Sequence, residues 1–570
     1  MELVKVATKQ FRNLDCDVEL SRPFALVAGE NNAGKSNLVD ALRIVLTPQA
    51  GPRFRCWIGP DDFAHDGRGN RVSDSFEIEV TFANLDQAEQ ARLVTCLAPS
   101  LGAGCARLRL LANLTASGRI DVAWYGGDSM QPDVESWARE AVAFTYLHPL
   151  RDAAADLRPG ASNRLVDLLG ALAPRGGSDW AQIEEAAREA NATLAQTDAV
   201  GRAKSDLQAR LDAMTGPLFG QKTELAFAEP RFERIVGSLR ALVGDVAPLE
   251  MSQNGLGFNN LLYMATLLAA MRSARDRSLH VLLVEEPEAH LHPQLQDLLL
   301  RYLKQASGAG TQVIVTTHSP NFAASAGVEM MTVMGRSDGR ITARSPSMFG
   351  LPQKALDHLR RFLDVTKSSL LFARGVILVE GVAEQLLMPA IAKQLGYQLH
   401  EAGVAVVSIG GLSFAPFMEL FGEERLPQRC AVVTDGDPPR RPDDEELAEG
   451  DPLISATAAS LRARQSAVVR VFLASKTLEW DLVVAGNWDL MIEAFRLVKP
   501  RVAERLAREQ SAADAEARAG VLLEAVDDVK GRFAQALAQK VDDGEALSIP
   551  TYLREAIEWA TRQPVSAGAA

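Results

Sequence analysis

Two series of short apolar runs organise this chain of 570 residues. The first comprises Leu26-Val27-Ala28, Val281-Leu282-Leu283-Val284 and Gln312-Val313-Ile314-Val315. Runs this short and this continuous predict strands buried on both faces. The second comprises Val376-Ile377-Leu378-Val379, Val404 to Ser408, Cys430 to Val433 and Val468 to Leu473, with a helix predicted over Ala383 to Leu395. Strands separated by helices predict parallel α/β sheets. Within the first series, Leu157 to Leu218 is rich in Ala, Gln, Asp and Arg and poor in strand formers. Its segment Ile183 to Leu194 reads as an exposed helix with a narrow apolar stripe, too short for a long coiled-coil arm. Arg344 to Arg374 mixes Pro, Ser and Lys around one predicted helix, Leu356 to Val365, and separates the two series.

The residues on which the first series ends carry phosphate chemistry. Gly29-Glu30-Asn31-Asn32-Ala33-Gly34-Lys35-Ser36 joins a strand to a helix over Leu38 to Val45. This arrangement aims backbone N–H groups and a helix N-terminus at phosphates. Lys35 is placed for the β- and γ-phosphates of ATP and Ser36 for a magnesium ion, with Asn31, Asn32, Gly34 and Asn37 completing the nucleotide-contacting set. The run Val281 to Val284 delivers Glu285 and Glu286, followed by Pro287, where an open α/β sheet presents its ligands. Glu285 suits the metal-water shell and Glu286 the orientation of the attacking water; an acidic helix cap is the plainer alternative. After Thr316-Thr317, His318 is positioned to reach a γ-phosphate, although a lone histidine is more often structural. Ser252, Gly255 and Gly257 precede the apolar stretch Leu261 to Met271, and small residues at a helix start suit an anion.

The second series ends on acids. Glu380 closes one strand, Glu384 follows four residues later, and Asp435 and Asp437 close another. Residues two apart at a strand end share a side. Hard oxygen ligands converging there suit Mg²⁺ or Mn²⁺ rather than zinc. Two such ions about 4 Å apart hold the attacking and leaving oxygens of an in-line phosphoryl displacement.

Composition narrows the classes. A hydrophobic content of 47% over this length supports several domains. A formal net charge of −13 excludes a generally basic, DNA-coating protein but leaves room for local basic patches, for which Arg462 to Arg470 and Arg496 to Arg508 are candidates. The five cysteines lack CxxC spacing, against structural zinc. The start lacks a signal pattern and no apolar run reaches spanning length. The expectation is a cytoplasmic protein without a membrane partner.

The phosphate loop, the acidic pair, His318 and Ser252 to Gly257 together resemble an ABC-type ATPase of the SMC-like kind, with Glu285 standing where Asp is common. That resemblance implies that Ser252 to Gly257 act on ATP held by another subunit, and so a homodimer. The second half resembles a Toprim domain. The combined order, with Phe11-Arg12-Asn13-Leu14, Glu288-Ala289-His290-Leu291-His292-Pro293 and Phe372 to Gly381, is similar to the OLD (overcoming lysogenisation defect) family of ATP-dependent nucleases. The resemblance implies an α/β chain: an ABC-type ATPase over 1–156 and 223–365, and a Toprim parallel-sheet domain with C-terminal helices over 366–570. The helical insertion between the two ATPase parts, over 157–222, reads from its own residues as mediating dimer contacts or, equally, as covering the sheet. It implies metal-dependent cleavage of DNA, with Glu380, Asp435 and Asp437 around one ion and Glu384 and Glu479 around the other, the allocation between ions being open. Lys530 matches a lysine-bearing segment near the end of these nucleases, with Lys476 as its competitor. A role in DNA processing or phage defence and a helicase partner are further expectations of the resemblance. Two other classes stand beside it: a non-catalytic ATP-driven DNA clamp, and a topoisomerase, for which none of the six tyrosines has a recognisable setting.

Overall fold

A computed structural model describes Met1 to Arg562 apart from residues 21–22, 48–57, 67, 133, 150–156, 158–159, 161–162, 174–175, 220, 228–229, 245–246, 274–278, 309, 338, 437–453 and 511–512. Asp437, Cys56 and the Ala-rich tail after Pro564 thus lie outside the described residues. The chain divides into two compact units: Met1–Tyr146 with Val281–Glu288 and His292–Ala570, and Leu147–His280 with Ala289–Leu291.

The first unit contains three sheets. Phe24–Gly29 is buried at all six positions and pairs in parallel with Thr311–Thr317 and with Met331–Ser337. The six-stranded sheet built on it runs Arg340–Arg344, Met331–Ser337, Phe24–Gly29, Thr311–Thr317, Leu279–Glu285, Val142–Leu147. Burial on both faces is what the apolar runs require, since a polar side chain on either face would meet packed protein. A five-stranded antiparallel sheet, Asp17–Glu19, Glu2–Lys9, Ser75–Ala83, Ala106–Leu114, Ile120–Gly126, adds an element that the two series of runs do not announce. In Ala106–Leu114 its strands alternate buried and half-buried residues, as a sheet covered more fully on one face does.

The third sheet is wholly parallel, in the order Val404–Ser408, Gly375–Val379, Arg429–Thr434, Val469–Leu473. Its register sets Val379 beside Val433 and Thr434 beside Leu473, so Glu380 and Asp435 leave the sheet from the same end. The C-terminal helices pack against it: Ile377, Val379, Leu387 and Ile391 share one core with Phe495, Phe533, Leu537, Leu553 and Trp559. Phe495 and Phe533 meet edge to face at 5.9 Å between centroids.

The second unit is mainly helical, with Arg164–Leu172, Ser178–Ala195, Asp198–Phe219, Phe232–Gly237 and Leu256–Ser273. The third of these bends at Gly216, whose φ of 65° breaks the helix. Its small core gathers Ala173, Phe232 and Val236 under Trp180 and Ile183, and Trp180 stacks on Phe232 at 3.7 Å. Among the described residues, no helix is long and apolar enough to cross a membrane.

The Thr551–Thr561 helix approaches the third sheet closely enough to fix one residue type. A Cβ on Gly375 would lie 2.2 Å from the Ala560 carbonyl oxygen. Gly375→Ala is expected to cost about 1–3 kcal/mol through backbone separation. The check is a lower denaturant midpoint for the tryptophan fluorescence of this region; an unchanged midpoint would show that the helix shifts freely.

Candidate functional site

The phosphate loop enters the Lys35–Leu46 helix through Gly34, at φ 92°, where a Cβ would also crowd Ile341 at 2.6 Å. Lys35 Nζ donates to the carbonyls of Gly29 and Glu30, both at 2.9 Å, and stands 3.1 Å from His318 Nδ1. His318 Nε2 is 2.8 Å from Glu286 Oε1. Nδ1 also lies 3.0 Å from the Gly29 carbonyl oxygen, so the tautomer of the ring decides whether it accepts from Lys35 or donates to that carbonyl. Burial pulls the Lys35 pKa down to about 8, against the upward pull of Glu286, Glu288, Glu285 and Glu30. Glu286 itself holds φ at 44°, a conformation rare for a side-chain-bearing residue and concentrated at functional sites.

Glu285 is gripped from two directions. Ser36 Oγ donates to its Oε1 at 3.0 Å, and Tyr146 OH to its Oε2 at 2.5 Å. Burial and then the Glu285 hydrogen bond raise the Tyr146 pKa, so the phenol stays a donor; Arg43 lies over its ring at 4.5 Å. Glu288 Oε1 accepts from Thr317 Oγ1 at 2.6 Å and from the His318 amide at 2.9 Å. A cavity of about 190 Å³ opens here, lined by Asn32, Gly34, Lys35, Ser36, Asn37 and His318, with Asn13 and Arg336. Asn31 lines a neighbouring cavity instead. Asn37 is engaged by Arg12 Nη1 at 3.0 Å and by Asn13. Arg12 also ties Asp40 and Asp62 together at 2.7 and 2.8 Å.

At the end of the parallel sheet, Thr434 Oγ1 donates to Glu380 Oε2 at 3.1 Å. Glu384 caps its own helix through the Gly381 amide at 3.0 Å. Its pKa is raised by burial, then by Glu479 and Glu380. Glu479 is 7% exposed in the helix Leu478–Leu482. Gly436 has no room for a side chain, since its Cβ would lie 2.3 Å from the Ala474 carbonyl. Lys530 feels burial, which would lower its pKa, yet Glu479, Asp527 and Asp435 raise it on balance. Lys476 instead sits 3.5 Å over the Trp480 ring. Among the described residues, which leave out Asp437, no three His, Cys, Asp or Glu side chains are placed together to hold a metal ion. The raised pKa of Glu384 beside Glu479 and Glu380, within an all-oxygen donor set, fits a hard divalent cation, which relieves such repulsion.

A family model described as "Overcoming lysogenization defect protein-like, TOPRIM domain" matches residues 371–437, and one described as "AAA ATPase domain" matches 178–323. The OLD nuclease of Thermus scotoductus is 24% identical over 438 residues, covering 72% of this chain and 77% of that protein. The solved C-terminal region of the Xanthomonas campestris pv. campestris OLD protein is 32% identical over 33% of this chain and 95% of that one, with a TM-score of 0.27. The chain belongs to the OLD family. Endonuclease GajA of Bacillus cereus is 25% identical over 224 residues, which are 34% of this chain; the match spans only 32% of that relative's length. As an OLD-family chain it carries an ATPase domain and a Toprim domain, and with them a use of nucleotide and divalent metal.

Of the residues read from the sequence of this OLD-family chain, Lys35, Ser36, Glu285, Glu286 and His318 meet at one centre. Glu380, Glu384, Glu479, Asp435 and Lys530 influence one another at the other. Ser252, Gly255 and Gly257 belong to the second unit, where Met251–Gln253 forms a short helical turn before Leu256–Ser273. There a Cβ on Gly257 would meet the His290 carbonyl at 2.6 Å. Tyr146, Glu288 and Tyr552 were missed. Tyr552 is held well above its usual pKa by burial, then by Asp481, Asp435, Glu384 and Glu479. Only Glu288 left a signal, as part of the acidic run after Val284. Tyr146→Phe removes a donor on Glu285. Steady-state ATP turnover is expected to fall roughly 10-fold, as loss of a hydrogen bond to a charged group predicts; an unchanged rate would mean that Tyr146 does not orient the carboxylate.

Proposed function

We propose that this chain is an ATP-dependent DNA nuclease that works as a homodimer, turning over ATP at the phosphate loop and cutting phosphodiesters in the Toprim half. The observation that carries this reading is the acidic end of the parallel sheet, where Glu384 lies near Glu479 and Glu380, and Lys530 lies near Glu479 and Asp435. They share a compact unit with a phosphate loop whose Ser36 is bonded to Glu285. The names of the relatives, OLD nuclease and endonuclease, support it. The domain limits 1–156, 157–222, 223–365 and 366–570 belong to the same proposal.

In the ATPase half, Lys35 would turn from its loop carbonyls to the β- and γ-phosphates, and Ser36 and Glu285 would hold Mg²⁺ and its water shell. Glu286, paired with His318, would orient the attacking water. Asn31, Asn32, Gly34 and Asn37 would complete the cradle. Ser252, Gly255 and Gly257 would close on ATP of a second subunit, a role supported by the exposed Leu256 and Phe258 beside them.

In the Toprim half, Glu380, Asp435 and Asp437 would hold one Mg²⁺ or Mn²⁺ and Glu384 and Glu479 the other, with the allocation open. Such ions, when bound, activate water and stabilise the leaving oxygen of an in-line displacement. Lys530 would place its charge where negative charge develops on phosphorus, and it is favoured over Lys476, which is engaged with Trp480. Among the described residues the free thiols of Cys16, Cys105 and Cys430 support a cytoplasmic setting. DNA processing or phage defence, with a helicase partner, extends the proposal.

The test follows supercoiled and linear DNA with Mg²⁺ or Mn²⁺, with and without ATP. Asp435→Ala is expected to slow cleavage by at least about 100-fold, the scale on which lost transition-state charge stabilisation acts, while ATP turnover persists. Lys35→Ala is expected to abolish ATP turnover and so reveal how cleavage depends on it. Absence of cleavage alongside ATP-dependent DNA retention would replace this reading with that of a clamp.

A further inference from the structure

Three guanidinium groups gather at the end of the Toprim sheet remote from its carboxylates. Arg429 opens the strand Arg429–Thr434, and Arg470 lies in Val469–Leu473. Ala431 is registered with Arg470, and residues two apart on a strand share a face, so Arg429 and Arg470 stand on one face. Trp559, from the Thr551–Thr561 helix, receives both: the Arg429 Cζ lies 4.4 Å and the Arg470 Cζ 3.9 Å from its ring centroid. Arg562 follows that helix directly.

This cluster has little internal compensation. Among the described residues neither Arg429 nor Arg470 forms an ion pair, and Arg562 has only a contact with Glu558 at 3.8 Å. Burial, then Arg562 and Arg470, push the Arg429 pKa down, so the three charges are felt as repulsion. Trp559 is 7% exposed, and its indole Nε1 has no hydrogen-bond partner. In a chain of formal net charge −13, uncompensated cations stacked on one ring are unusual. Stacking fixes the plane of a guanidinium while leaving its N–H groups free for an oxyanion.

The geometry points to a docking site for the phosphodiester backbone of DNA, formed by Arg429, Arg470 and Arg562. The arginines span two strands and a helix end, and Arg470 and Arg562 are exposed, which suits an extended polyanion better than a small enclosed anion. Arg429 and Thr434 are five residues apart on one strand, about 17 Å. That is about five base-pair steps of a duplex at 3.4 Å each, so the contact falls on the same DNA molecule as the carboxylate centre, several nucleotides from the bond to be cut. It rests on the nuclease reading and adds to it the surface that holds the substrate.

The experiment uses the full chain with Arg470→Gln/Arg562→Gln, which leaves Arg429 covering Trp559. Binding of a fluorescent DNA duplex is followed by anisotropy in Ca²⁺ over a range of KCl concentrations. Removing two phosphate contacts is expected to make the slope of log affinity against log salt shallower by about 2, at roughly 0.9 per contact. Arg470→Gln alone should change it by about 1, and Arg470→Lys/Arg562→Lys should keep most of the slope. ATP turnover, unchanged in all three, shows that the fold is intact. An unaltered slope and affinity in the double variant, with DNA still cut by the unmodified chain, would overturn the docking site and leave the nuclease reading standing. If the unmodified chain neither bound nor cut DNA, both would fall.

Discussion

A carboxylate at the end of a buried apolar strand must find a cation or hydrogen-bond donors, because burying its charge unpaired is among the costliest things a fold can do. Both centres of this chain answer that constraint, in different ways. At the phosphate loop the compensation is largely internal: Ser36 and Tyr146 satisfy Glu285, His318 meets Glu286, and the Thr317 hydroxyl and His318 amide hold one oxygen of Glu288, whose other oxygen is buried without a hydrogen bond. At the Toprim sheet it is incomplete. Burial and the neighbouring Glu479 and Glu380 hold the Glu384 pKa up, and Lys530 is the positive charge near Glu479 and Asp435.

The contrast has a functional meaning. A site that is electrostatically settled before its ligand arrives must exchange partners to bind: Lys35 leaves two carbonyls and an imidazole, and its depressed pKa records the burial it endures meanwhile. A site that is electrostatically unsettled gains on binding, since a divalent ion removes repulsion already present. The same logic separates the two lysines near the Toprim acids, one facing carboxylates and one lying on an aromatic ring.

Much of this was legible because apolar runs and the residues that terminate them are adjacent in sequence. Val281 to Val284 announces Glu285, and Val376 to Val379 announces Glu380, because strand and ligand form one local unit. Tyr146 gave no such signal: it meets Glu285 across 139 residues, and a tyrosine within a strand is ordinary. The antiparallel sheet was equally silent, since only its alternation of burial marks it. The Arg470 patch was visible as a basic stretch, but its stacking on Trp559 depends on a helix that begins 81 residues later.

The nucleotide centre is sewn together from distant parts of the chain, and this has a consequence for its birth. Lys35 and His318 are separated by 283 residues. At a synthesis rate of about 5–20 residues per second, the phosphate loop waits roughly 15–60 s on the ribosome before its imidazole partner exists. For most of that interval the newborn lysine has its loop carbonyls but neither histidine nor acidic strand, so the centre is completed late in synthesis.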